Sequence, residues 1–250
     1  MTTIDLLNNH RTIRKYSNQP IDENTLNTII EAGCRASTTG NMQLYSIIIT
    51  RDPARREQLA PFHFNQPVAK QAPVTLTFCA DFNRFNLWCQ QRQAEPGYDN
   101  FLSFTTAAID ALLVAQNVCI AAESKGLGIC YLGTTTYMSA KIIDLLKLPK
   151  GVIPITTVTL GYPNETSEKA DRLPLSAILH QEYYHDYQPS DIEKLYAEKE
   201  AIEANKKFVA ENNKETLAQV FTDVRYKKGD NVAFSKSLLE VLKSQGFMNQ

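Results

Sequence analysis

Residues 10–14, with the sequence HRTIR, carry side chains that could bind an anion. If this segment is extended, the two-residue period of a strand places His10, Thr12 and Arg14 on one face. An imidazole, a hydroxyl and a guanidinium can each donate a hydrogen bond to a phosphate oxygen. The alternative is a solvated basic edge, and residue types alone favour it because short motifs often mislead.

Two loops carry further polar or charged side chains. The loop from Ser37 to Gln43 is rich in hydroxyls and amides and leads directly into a strand. Such a loop is either an ordinary capping turn or a hydrogen-bonding wall for a polar ligand. A second loop, from Lys169 to Pro174, holds two cations. Composition and spacing alone therefore indicate no more than an anion-binding domain.

Several common active-site motifs are missing from the sequence. Gly126 and Gly128, followed by Gly133, have the wrong spacing for a dinucleotide fingerprint, and they follow a helix where that motif follows a strand. The sequence also contains neither a phosphate-binding P-loop nor a GxSxG nucleophile turn. These chemistries are set aside.

Histidine and cysteine placement favours structural roles. His180 and His185 are five residues apart and do not form a zinc-helix spacing with Glu182, so we predict surface histidines and no metal site. Four cysteines lie in apolar segments, where a structural thiol is favoured over a nucleophile. They are Cys34, Cys79, Cys119 and Cys130.

One long helix, Thr106 to Lys125, organises the predicted fold. It contains neither glycine nor proline and is apolar on almost every face, which is typical of a buried helix packed on both sides. Asp110 and nearby amides interrupt it, so a membrane span is not expected. Gly126 predicts the helix end. A short buried strand, Ile129 to Leu132, then leads to Gly133.

The other elements follow from periodicity and turn residues. Predicted helices are Thr3–Asn9 with Thr3 as N-cap, Asp22–Ala36, Pro53–Ala60 and Ser139–Leu148, and predicted strands are Leu44–Thr50, Val74–Ala80 and Val152–Gly161. Asp81 to Tyr98 is less regular. From Asp191 the chain becomes charged and helical, with a turn at Lys227–Asn231 and a last helix to Gly246. Strands mixed with helices around a buried helix predict an α+β fold.

Composition bounds the class of protein. The chain has 250 residues, 43% of them apolar, and a formal net charge of −1, which argues against nucleic-acid binding. Residues 1–10 lack the basic flank and apolar core of a secretory signal. Five cysteines without regular spacing are typical of reduced thiols. We therefore expect a cytoplasmic protein without a membrane segment.

The order of these pieces resembles the nitroreductase family. The HRTIR segment, the polar loop, the glycine turn after a long helix and the late cationic loop occur in the order found in its NADPH-dependent flavin reductase and oxygen-insensitive nitroreductase branch. The resemblance extends over essentially the whole chain. It implies a central mixed or antiparallel sheet, an FMN-binding core over residues 1–190 and a helical C-terminal excursion over residues 191–250. It also implies a homodimer with FMN at the subunit interface.

The resemblance also implies residue roles. His10, Arg11 and Thr12 would contact the FMN phosphate and ribityl chain, and Arg14 would face the pyrimidine side of the ring. Ser37, Asn41 and Gln43 would bond to the ring edge and ribityl hydroxyls, while Tyr131, Leu132 and Gly133 would lie along the ring. Lys169 and Arg172 would return to the phosphate or flavin. Either Asn65 or Gln66 stands where the family has a flavin-contacting glutamine.

The implied reaction passes electrons from NADPH through FMN to a nitroaromatic, quinone or free flavin in a ping-pong cycle. Hydride passes directly between nicotinamide and flavin, so no catalytic side chain is named. A cation of the excursion, among Lys214, Arg225, Lys227 and Lys228, would meet the 2′-phosphate of NADPH; the alternative is that all four are solvated charges at helix ends. A non-catalytic FMN store or sensor, or a plain interaction protein, would be the alternatives.

Overall fold

The computed structural model describes residues 2–249. The helices are α1 (Thr3–Asn8), α2 (Glu23–Gly33), α3 (Pro53–Leu59), α4 (Pro67–Gln71), α5 (Asn83–Gln91), α6 (Phe101–Ser124), α7 (Ser139–Leu146), α8 (Pro189–Ala201), α9 (Glu203–Glu211), α10 (Leu217–Gln219) and α11 (Lys228–Gln245). The strands are β1 (Tyr45–Thr50), β2 (Val74–Asp81), β3 (Gly128–Leu132) and β4 (Val152–Gly161). The α+β fold predicted from the sequence is confirmed.

The four strands form one antiparallel sheet in the order β1-β2-β4-β3. Every residue of β2 is buried, as expected for a strand covered on both faces. Helix α6 packs on this sheet through small residues such as Ala111 and Ala115, which are fully buried. Helix α2 approaches α6 closely, since a Cβ on Gly33 would lie 2.1 Å from Val118 Cγ2. Small side chains thus allow α6 to be the core helix.

The HRTIR segment extends the sheet beyond its β3 edge. Thr12 pairs in parallel with Ile129, and the Ile13 amide donates a 2.9 Å hydrogen bond to the Ile129 carbonyl. Gly128 makes room for this pairing, because a Cβ there would lie 2.6 Å from the Ile13 Cβ. The segment is therefore extended at this pairing, as the strand interpretation requires, with Ile13 buried and Arg11 and Arg14 exposed.

Helix α6 presents a second face to solvent in the single chain. Phe101, Leu102, Ile109, Leu112 and Leu113 are all exposed. The last four recur at helical spacing and form one apolar stripe, called here the α6 stripe. By length and composition α6 is also the one helix among residues 2–249 that could cross a membrane. Its completely buried Asp110, described below, identifies it as a core helix.

Some boundaries differ from those predicted. The N-cap of α1 is Thr2, whose hydroxyl accepts the Asp5 amide at 3.1 Å, and the prediction of Thr3 was wrong. The irregular segment from Asp81 to Tyr98 contains helix α5. The predicted turn at Lys227–Asn231 was also wrong, because α11 begins at Lys228. The long helix packs against the sheet on one side and against α2 on another, as predicted, and part of its outer face is exposed in the single chain.

The described chain divides into two compact units. One runs to Lys169 and resumes at Phe234, and the other is Ala170–Ala233. In the first, Val241, Leu242 and Phe247 pack with Leu44 and Phe82 of the sheet region. In the second, the side chains of Leu217 and Val220 are buried, and the Arg225 guanidinium lies 4.7 Å from the centre of the Phe208 ring. Assignment of cofactor binding to residues 1–190 stays a prediction.

Candidate functional site

The extended N-terminal segment presents its cations at the edge of the sheet. His10 Nδ1 lies 2.6 Å from Glu123 Oε1 near the end of α6, so the imidazole is tied to the core helix. The side chains of Arg11 and Arg14 are exposed and make no hydrogen bond or ion pair with any described residue. Two guanidinium groups beside one sheet edge can receive an anion.

A carboxylate from after β4 holds the backbone of this segment. Glu165 Oε1 accepts the Arg14 amide at 2.6 Å and the Lys15 amide at 3.0 Å. Next to it, the Asn164 amide donates to the Lys15 carbonyl at 2.9 Å. These bonds lower the pKa of the Glu165 carboxyl, chiefly through the Arg14 amide. Glu165 therefore fixes where the Arg14 side chain leaves the sheet edge.

The end of β3 leads into an open backbone turn. Tyr131 is partly exposed and its hydroxyl donates to Gln116 Oε1 at 3.3 Å, while burial raises the pKa of the Tyr131 phenol. The Leu132 side chain is buried in the core, so only its backbone could face a ligand. No atom lies within 4 Å of the position a Cβ would take on Gly133. This turn offers backbone groups and open space.

The polar loop is built around the carboxylate of Asp110, which is completely buried in α6. Its oxygens accept the Thr38 hydroxyl, the Thr39 amide at 3.1 Å, the Thr39 hydroxyl at 3.3 Å and the Leu44 amide at 3.2 Å. Four donors satisfy a charge that would otherwise be costly to bury. The loop is thereby anchored at both of its ends.

The anchored loop turns its other polar groups outward. Three of its residues have a left-handed backbone, with φ of 55° at Gly40, 56° at Asn41 and 56° at Gln43. Glycine adopts this conformation freely, and asparagine tolerates it better than most residues. Ser37, Asn41 and Gln43 are exposed. The Arg84 guanidinium of α5 holds the loop from a second direction through the carbonyls of Gln43 and Tyr45. A fixed row of amides and hydroxyls results, which suits a polar ligand edge.

The predicted cations after β4 have mostly local partners. Lys169 is exposed, and Arg172 Nη1 donates to the adjacent Asp171 carbonyl at 2.8 Å. Of the cations expected to meet a 2′-phosphate, Lys214 pairs with Asp223 at 2.8 Å and Arg225 covers Phe208. Lys227 and Lys228 are exposed and have no side-chain partner among the described residues.

The structure brings some predicted residues together and separates others. The HRTIR segment lies beside β3, so residues 10–14 and 131–133 share one sheet edge. The polar loop is tied to Asp110, whereas His10 is tied to Glu123. These anchors are 13 residues apart on α6, which is about 20 Å of helix at 1.5 Å per residue. One chain therefore carries two separate patches, the sheet-edge patch and the polar-loop patch.

Sequence reasoning missed the residues that position these patches. Asp110, Glu123, Glu165 and Arg84 were not among the predicted site residues. Asp110 had a signal, since it is the one charged residue between Thr106 and Ala122 of a largely apolar helix. Glu165 had none, because its partners lie about 150 residues earlier in the chain.

Comparison with known proteins agrees with this architecture. The nitroreductase family model matches residues 7–162. The FMN reductase (NADPH) of Bacillus subtilis is 36% identical over 188 residues, which is 73% of this chain and 74% of that protein. The chain belongs to the nitroreductase family, and the sequence-based prediction of this family is confirmed.

Solved structures extend the likeness to the whole chain. A protein of Bacteroides fragilis superposes with a TM-score of 0.97 and 58% identity, covering 98% of this chain and 100% of that one. The NADPH:FMN oxidoreductase of Vibrio harveyi, in complex with NAD+, superposes with a TM-score of 0.80 and 28% identity over 99% of each chain. Both matches include the helical C-terminal region.

Replacing Asp110 tests the anchor of the polar loop. In Asp110→Asn, an amide NH2 group replaces one of the two carboxylate oxygens and faces hydrogen-bond donors that it cannot accept. We therefore expect the free energy of unfolding to fall by about 2–4 kcal/mol. Urea denaturation measures it, and Asp144→Asn, at an exposed position on α7, is the control. Equal stability of Asp110→Asn and wild type would show that the loop does not depend on this carboxylate.

Glu165 predicts a pH dependence of stability. Its pKa is lowered below the ordinary 4.5 in the folded protein. A lowered pKa stabilises the folded state above the unfolded pKa, and this stabilisation is lost as the pH falls through the lower folded value. The difference in unfolding free energy between wild type and Glu165→Gln should be full at neutral pH and vanish on acidification below 4.5. Glu168→Gln is the control, and a difference independent of pH would contradict the assignment.

Proposed function

We propose that this chain is a cytoplasmic, homodimeric FMN-dependent oxidoreductase that takes electrons from NADPH and passes them to nitroaromatics, quinones or free flavins in a ping-pong cycle. The observation that carries the proposal is the pair of exposed guanidinium groups, Arg11 and Arg14, which have no side-chain partner among residues 2–249 and lie along the β3 edge. Membership of the nitroreductase family supports it, as do relatives named FMN reductase (NADPH) and oxygen-insensitive NADPH nitroreductase.

The exposed donors fit FMN by their chemistry. A phosphate dianion matches the guanidinium and imidazole groups of the sheet-edge patch, since arginine can bind phosphate oxygens with two parallel hydrogen bonds. The ring edge and ribityl hydroxyls match the amides and hydroxyls of Ser37, Asn41 and Gln43. The absent side chain at Gly133 leaves room for a flat ring beside β3. Tyr131, Leu132, Lys169 and Arg172 remain proposed contacts.

Bound FMN would supply the redox chemistry, accepting a hydride from the nicotinamide and returning two electrons to the acceptor. The protein's part is binding and electrostatics. Arg14, held at a fixed place by Glu165, would put a positive charge where reduction places a negative one. With a quinone the balance is NADPH plus a proton plus quinone giving NADP+ plus hydroquinone.

Two copies of the chain would complete each site. The sheet-edge and polar-loop patches are anchored about 20 Å apart along α6, which exceeds the length of an isoalloxazine ring system. The α6 stripe, in the N-terminal half of the helix, is apolar and exposed, a property typical of an interface. A two-fold axis through this stripe would bring the polar-loop patch of one copy towards the sheet-edge patch of the other.

The direct test is the colour and turnover of the purified protein. We expect a yellow protein that releases FMN on denaturation and oxidises NADPH with a quinone. Arg11→Ala should weaken FMN binding by about ten- to a hundredfold, because a hydrogen bond to a charged group is worth roughly 1.5–3 kcal/mol. Arg35→Ala, at another exposed arginine, is the control. A protein that neither holds nor binds FMN would refute the proposal, while FMN binding without turnover would indicate a store or sensor.

The dimer is tested on the α6 stripe. The double variant Ile109→Arg with Leu113→Arg places two charges in the proposed interface, so we expect monomers by light scattering at low micromolar concentration and loss of FMN. Ile4→Arg changes a still more exposed apolar residue, on α1, and should stay dimeric. A wild-type monomer that retains FMN would contradict both the interface and the shared site.

A further inference from the structure

Three aromatic rings from separate elements stack beside the open turn. They are Phe64, which follows the short helix Ala60–His63, Tyr137 in the short helix Thr136–Met138, and Phe234 of α11. The rings of Tyr137 and Phe234 are 4.5 Å apart and within 7° of parallel. Phe64 lies 6.3 Å from Tyr137 and 6.1 Å from Phe234 at 27° and 32°. We call these three rings the aromatic platform.

Phe64 is held at this place by an unusual backbone and a buried histidine. Phe64 and Asn65 have φ of 55° and 52°, a left-handed conformation that is disfavoured for a bulky side chain. His63 is buried and its Nδ1 shares a 2.9 Å hydrogen bond with Thr134 Oγ1. Burial lowers the pKa of His63 to about 4, so the ring stays neutral at physiological pH. The Phe64 turn is thereby fixed next to Gly133.

The platform remains open although it is large and apolar. Half of the Phe64 side chain is exposed, and Tyr137 and Phe234 are only partly buried. The left-handed backbone at Phe64 costs free energy, and a ring that stays in solvent does not repay this cost by core packing. Such an arrangement is typical of a ligand-binding site. Two parallel rings, with Phe64 inclined by about 30° to both, define the shape of the ligand, since aromatic pairs prefer offset stacking at centroid distances of about 4.5–7 Å. A flat aromatic ring could stack on these rings, whereas an acceptor without a ring would gain no stacking energy from them.

We propose that the aromatic platform binds the planar ring of the electron acceptor by stacking and so selects quinones and nitroaromatics over acceptors without a ring. The electron-rich phenol of Tyr137 suits such electron-poor rings. This inference rests on the proposed function, because it assigns an acceptor site beside the proposed flavin.

The test compares 2-methyl-1,4-naphthoquinone with ferricyanide, both reduced by NADPH through the FMN-loaded enzyme. In Phe64→Leu and in Tyr137→Leu, we expect kcat/KM for the naphthoquinone to fall about three- to tenfold, through a higher KM. This factor corresponds to the loss of one aromatic stacking pair. The rate of ferricyanide reduction should not change. Phe64→Tyr keeps a ring and should keep the wild-type ratio of the two rates. Trp88→Leu, at an exposed aromatic of α5, is the matched control.

A binding measurement without turnover completes the test. Naphthalene-2-carboxylate, which is not reduced, should bind the oxidised holoenzyme more weakly in Phe64→Leu by a similar factor, with the KM for NADPH unchanged. If Phe64→Leu does not fold, Phe64→Asn removes the ring with a residue that tolerates the left-handed backbone. Equal losses for both acceptors, no loss for either, or the same loss in Trp88→Leu would overturn the platform. A wild type that reduces neither acceptor would refute the proposed function, and naphthalene-2-carboxylate binding would still decide the platform.

Discussion

The buried carboxylate of Asp110 is the constraint on which the rest of the core depends. A charge with no access to solvent is tolerated only when donors surround it, and here all four donors come from residues 38–44. The helix therefore cannot pack on the sheet unless the polar loop closes over it. Packing of α6 and the conformation of the loop form one cooperative unit, and the loop's left-handed residues are held by that unit.

Helix α6 also explains why one chain carries two separate patches. Its inner side is lined by alanine and valine and fits against a fully buried strand. Two places along it anchor different groups, Asp110 near its middle the polar loop and Glu123 near its C-terminal end the His10 imidazole. A rigid rod keeps these groups apart in one copy of the chain. The exposed α6 stripe offers the surface on which a second copy could bring them together.

The sequence predicted the sheet well and the positioning residues poorly. Strand β4 has its predicted bounds, Val152–Gly161, because a β-branched run ends at turn residues on both sides. The Gly229-Asp230-Asn231 cluster predicts a turn but lies in the first turn of α11, where local propensity is overridden by the longer helix. Helix α5 was missed because its nine residues are mostly polar. Residue patterns indicated an anion-binding face at residues 10–14 and two polar or cationic loops, whereas the individual flavin contacts came from the family resemblance. Glu165 and Asp110 act through contacts remote in sequence, which no local pattern encodes.

The two sides of the proposed site differ in how they are fixed, and that difference bears on acceptor choice. The cofactor side consists of strand edges and a loop held by charged hydrogen bonds, which demand a defined set of ligand atoms. The proposed acceptor side consists of three aromatic rings, which would contact a ligand through their faces. Stacking depends on the flatness of a ring and little on its substituents. An enzyme built this way would bind one flavin with definite geometry and accept many flat rings, so breadth towards acceptors would follow from the chemistry of the platform without any mobility of the loops.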